Sequence, residues 1–221
     1  MPLDRPAGLA ALAMALCFVI GFTLFGLLLA PAGYGSATVR PAEVLALAQE
    51  HLALITAWNL VIYVGSGAAV AVMAPALAHD LIEWGANETL AGVSAAFGLI
   101  WAGLMLAAAM VSNTALAAAV PLAAQDPQEA ERLWYTLHMV ERGLGGGNEL
   151  LGGLWIWLVS HGARRGEFLP GLLCALGVIT AMAGFLTLIP SLSDMAGAAF
   201  GLGSIAWLLG VAGSLALPQD R

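Results

Sequence analysis

Lysine is absent from the chain, and its seven basic residues are all arginines. Charge of either sign is scarce: Asp, Glu, Lys and Arg make up 10% of 221 residues, against about a quarter in an ordinary soluble domain. A chain so poor in charge cannot clothe itself in polar side chains, and at 61% hydrophobic residues the solvent it expects is lipid. The net charge of −7 argues against nucleic acid, which needs basic surface to displace counterions. There are only two cysteines, Cys17 and Cys174, each inside an apolar run, so they read as small hydrophobes rather than a disulfide or redox pair. No CxxC, no zinc-spaced Cys/His set, no GxSxG and no HExxH occurs. The glycines of "GLGGGNE" imitate a dinucleotide loop, but no strand precedes them and the match is discarded. Catalysis therefore finds little support.

What is present is a series of six apolar segments, over 9–30, 43–78, 90–120, 127–159, 168–189 and 196–217. Each reaches or exceeds the roughly 20 residues that a spanning helix needs. The first is too long for a typical signal-peptide core and is followed by further spans, so it is expected to be retained. The second exceeds one crossing, and its first turns are expected in the interface. Boundaries carry recognisable signals. Asp126 before Pro127 fits an N-cap with proline at the first helical position, Asn87-Glu88-Thr89 opens the third segment, and Ser193 or Asp194 can cap the last. Arginine placement sets the orientation: Arg5, Arg164, Arg165 and Arg221 fall on one side, Arg40 and Arg132 on the other, with Arg142 further in. By the positive-inside rule both termini are expected in the cytoplasm.

The fourth segment carries the most polar stretch, "YTLHMVERGLGGGNELLGG" from Tyr135 to Gly153. On a helical projection Glu131, Trp134, Tyr135, His138, Glu141, Arg142, Gly145, Glu149 and Gly152 share about one third of the circumference. Charged side chains facing lipid cost about 2.5–3.5 kcal/mol each, so this stripe is expected to face the bundle interior. The segment admits three forms: a continuous span, a helix kinked or broken at Gly145-Gly146-Gly147, or an amphipathic surface helix followed by a loop. Helix counting brings His51, on the second segment, and Ser112-Asn113-Thr114, on the third, to the depth of His138. The expected polar cluster is Glu50, His51, Asn113, His138, Glu141 and Arg142, with Tyr135 and Glu149 as further members of the network.

Several functions use such residues. Two histidines at equal depth, His51 and His138, are ligand types for haem or a metal ion. Intramembrane Glu, His and Arg also build proton or solute pathways, and equally a structural network that holds helices together. Aromatic walls from Trp58, Trp134 and Tyr135 suit a quinone or another amphiphile.

The pattern "GLAALAMALCFVIGFTLFGLLL", with the later "GGLWIWLVSHGARRGEFLPGLLCALGVITAMAG", resembles a family of bacterial six-span membrane proteins of unassigned function. The resemblance implies six helices and an inner-membrane location, and brings no catalytic residues. The expectation is an all-α, six-transmembrane-helix bundle forming one domain, non-enzymatic, in the bacterial inner membrane. It would bind a small amphiphile or serve as an accessory subunit to other membrane proteins, with no cofactor expected. A transporter or channel stands as the alternative, and a b-type haem protein as the third reading.

Overall fold

A computed structural model describes residues 6–34, 39–145 and 148–216. Every regular element among them is helical: α1 (Pro6–Leu24), α2 (Pro41–Asn59), α3 (Ser66–Glu83), α4 (Glu88–Ala123), α5 (Pro127–Gly145), α6 (Asn148–Arg165), α7 (Gly171–Leu186) and α8 (Ser193–Ala216). Two stretches of π-helix extend these rods. Phe25–Leu29 continues α1, and Leu60–Gly65 joins α2 to α3 without a break in direction of the chain. The backbone of α2 also leaves helical geometry at His51, with φ −129° and ψ 28°.

Four of these rods are long and apolar enough to cross a membrane: Pro6–Leu29, Pro41–Glu83, Glu88–Ala123 and Ser193–Ala216. The six-segment expectation is met only in part. The fourth segment is described as α5 and α6, and the expected kink or break at Gly145-Gly146-Gly147 falls on residues 146–147, outside the described residues. The fifth, α7, is helical for only 16 residues, short of one bilayer thickness on its own.

The ends of the rods obey local chemistry. The Asn87 side chain accepts from the amides of Thr89 and Leu90 at 2.9 and 3.2 Å, and Asp126 accepts from the Glu129 amide at 3.0 Å. α3 stops at Gly85, whose φ of 81° is open to glycine, with the Ala86 amide returning to the Leu81 carbonyl. α6 stops in the same way at Glu167, although φ there is 55° and the residue has a Cβ.

Packing is governed by small residues under tryptophan. α5 and then α6 run back along α4, and α7 and α8 close against α6 and α1. Trp101, Trp155 and Trp207 form a buried chain, with ring centroids 5.7 Å apart at each step. Gly98 and Gly152 supply the room: a Cβ at either would run into these rings. Gly153 and Gly184 bring the backbones of α6 and α7 into contact in the same fashion. Gly8 of α1 lies against Leu215 of α8, so the start of the first helix and the end of the last share one end of the bundle. The outer faces carry apolar side chains throughout, including Leu16, Val19, Ile100, Met110, Ile179, Leu202 and, at 87% exposure, Leu172.

Candidate functional site

α5 is the amphipathic exception among these helices. The residues it buries are Ala130, Trp134, His138 and Glu141, spaced four, four and three apart along one stripe. His138 and Glu141 are thereby carried inside, with side chains 4% and 8% exposed, and His138 Nδ1 lies 3.2 Å from Glu141 Oε2. Burying an ionisable side chain is tolerable only with a partner, and here each supplies the other's. Trp134 stacks flat on the imidazole, with centroids 4.7 Å apart and planes within 11°. The opposite ring nitrogen, Nε2, is buried and has no hydrogen-bond partner among the described residues.

Around this pair stands a wall of rings from three other segments. Tyr34, in the connection after α1, lies 5.7 Å from His138, 6.2 Å from Trp134 and 5.9 Å from Trp58, measured between ring centroids. Trp58 in turn meets Phe25 and Tyr63, and its indole N–H donates to the Gly21 carbonyl of α1 at 2.7 Å. Burial, reinforced by the Glu141 carboxylate, pushes the Tyr34 hydroxyl above its usual range, so it remains a protonated hydrogen-bonding group. That hydroxyl is 3.3 Å from Ser112 Oγ. Asn59 donates both hydrogens of its amide to α4, to Ser112 Oγ at 3.1 Å and Asn113 Oδ1 at 3.0 Å. Its own carbonyl oxygen is buried and unpartnered among the described residues.

The backbone is irregular at this same place. Both π-helical stretches abut the cluster: one holds Phe25, the other starts after Asn59 and holds Tyr63. Single π turns inside α-helices concentrate at functional sites, because the widened turn re-aims side chains at some cost in stability.

Of the residues expected from sequence, His138 and Glu141 pair with one another, while Asn113 meets Asn59, which is linked to the pair through Ser112 and Tyr34. Glu50 and His51 are not brought to them. They lie on the outside of α2, 3.9 Å from one another, with side chains 78% and 43% exposed. Val44, Leu45 and Ala48 nearer the start of α2 are buried, but the backbone leaves helical geometry at His51, so a projection drawn on one regular helix fails there. Tyr135 and Arg142 are exposed as well, because they sit about 80–100° around α5 from Trp134, at the edge of the stripe. Glu149 is half-buried near the start of α6. An axial pair from His51 and His138 is not assembled, and among the described residues no group of three or more His, Cys, Asp or Glu converges. Tyr34 and Tyr63 had no sequence signal beyond their polarity.

No family model matches the chain, and no curated protein or solved structure shows significant similarity to it.

Proposed function

We propose that this chain is a multi-pass integral membrane protein that binds the polar head of a small amphiphile through the His138–Glu141 pair, without catalysing a reaction on it. The observation that carries the reading is His138 itself: buried, oriented by a carboxylate on one nitrogen, and unpartnered on the other. With Glu141 engaging Nδ1, Nε2 either donates to a carbonyl or accepts from a hydroxyl. A quinone and its quinol offer both partners on one ring, and Trp134, Tyr34 and Trp58 supply flat apolar walls for it. An apolar tail would follow Tyr135, Met139 and Val140, the exposed apolar face of the lower part of α5.

In this reading α6 and α7 complete six crossings beside the four long apolar rods. The exposed Val178, Ile179 and Met182 of α7 would face acyl chains, and the turn at Leu188 and Ile189 would finish the crossing. The shared end of α1 and α8, which also bears Arg164 and Arg165, would face the cytoplasm of a bacterial cell.

Purified protein in mild detergent, titrated with a short-chain benzoquinone and followed by tryptophan fluorescence, tests the binding. His138→Gln should weaken it by about 10-fold or more while leaving the fold intact. Equal affinity in the two proteins would remove His138 from the site. Solute or proton transport is the second reading, favoured by the helix irregularities that ring the buried pair. Proteoliposomes that sustain a His138-dependent flux would establish it. Co-purification of a second membrane subunit through the exposed face of α5 would instead support an accessory role.

A further inference from the structure

The opposite end of the bundle holds a cavity of about 390 Å³, lined by Gly85, Ala86, Asn87, Leu90, His161 and Arg165. No carboxylate lines it. His161 and Arg165 lie one turn apart on α6, so both side chains leave the same face of that helix toward the α3–α4 turn. Neither has an ion-pair partner among the described residues. The imidazole is set in place by stacking on Trp157, with centroids 5.6 Å apart and planes 21° apart. The turn that forms the other wall is fixed too. Gly85 and Ala86 complete the cap of α3, and Asn87 spends its side-chain oxygen on the Thr89 and Leu90 amides.

We infer that this cavity binds a phosphate group, held by the Arg165 guanidinium and His161 imidazole, and that its natural source is the headgroup of an anionic phospholipid. A guanidinium fork and an imidazole around an open, carboxylate-free pocket match a phosphate's charge and its several acceptor oxygens. The surroundings favour a lipid over a free ion. Leu90 lines the cavity, and the exposed Ile82, Val93 and Trp157 lie on the three helices that form it, so acyl chains can leave the pocket along apolar surface. Lipid as the source rests on the membrane reading above, while the phosphate chemistry does not. Neither depends on the His138 pair at the other end of the chain's helices.

The test is thermal unfolding of the full-length protein in detergent, with phosphatidylglycerol, phosphatidylcholine or inorganic phosphate added. Phosphatidylglycerol should raise the Tm by several degrees, on the order of 5 °C near saturation. Arg165→Gln should abolish that rise, Arg165→Lys should keep part of it, and Arg164→Gln, on the neighbouring residue outside the cavity, should keep nearly all. His161→Ala should reduce it, and serves as the probe if Arg165→Gln does not fold. Inorganic phosphate alone producing the same Arg165-dependent rise would uphold the phosphate site and overturn the lipid as its source. A rise unchanged in both Arg165→Gln and His161→Ala, or lost equally in Arg164→Gln, would overturn the site itself.

Discussion

The two halves of the molecule solve burial by different means. Around Trp101, Trp155 and Trp207 the helices pack by shape, with glycine facing indole and backbone nearly touching backbone. Around His138 they pack by hydrogen bonds, rings and a buried His–Glu pair, and two π-helical stretches lie beside it. A membrane bundle needs only the first kind of packing, since van der Waals fit and small residues suffice to associate helices in lipid. The second kind costs more than it returns in stability unless something else depends on it. The difference therefore separates scaffold from site, and each half predicts its own response to mutation.

The largest effect should come from the shape-packed half. Trp155→Ala removes a fully buried ring that touches both Trp101 and Trp207 and should cost about 3–5 kcal/mol, read as loss of thermal stability in detergent. Gly184→Val comes next. A side chain there meets the Glu149 backbone of α6, which cannot step aside, and should destabilise by about 3 kcal/mol. If either variant melted like the parent, the glycine–tryptophan seam would not be what holds α6 in place.

The polar half should behave in the opposite sense. Replacing His138 and Glu141 together by leucine exchanges a buried polar pair for apolar side chains, a change that is often neutral or stabilising by about 1–4 kcal/mol. Glu141→Leu alone should be worse than the double variant, because it leaves His138 buried with neither nitrogen engaged. A double-mutant cycle on thermal stability reads that ordering directly. The smallest effect lies at Glu167, held at φ 55° in the cap of α6: glycine there should stabilise by about 1 kcal/mol, since it adopts that backbone freely. Stability unchanged in Glu167→Gly would mean that other contacts of the turn absorb the strain.

How far the sequence disclosed this division depends on which physics wrote it. Cap residues such as Asn87 and Asp126 act over three or four positions, so the starts of α4 and α5 were legible. His138 and Glu141 were legible because burial of a polar stripe follows helical period. The remainder was set by long-range geometry. Glu50 and His51 are left in the open where α2 departs from helical geometry at His51, a kink that no periodicity announces. Tyr34 closes that wall from a non-helical connection, where no periodicity points to it. The form of the fourth segment at its three glycines turns on residues 146–147, which lie outside the described residues.

The central claim is that His138 and Glu141 serve binding rather than folding. The most direct measurement sets His138→Leu/Glu141→Leu beside the parent protein, with thermal stability and short-chain benzoquinone affinity recorded on the same preparation. Stability equal to or above the parent's, with affinity lower by about 10-fold or more, is the predicted result. A double variant that loses stability, or that binds the quinone as the parent does, would contradict it.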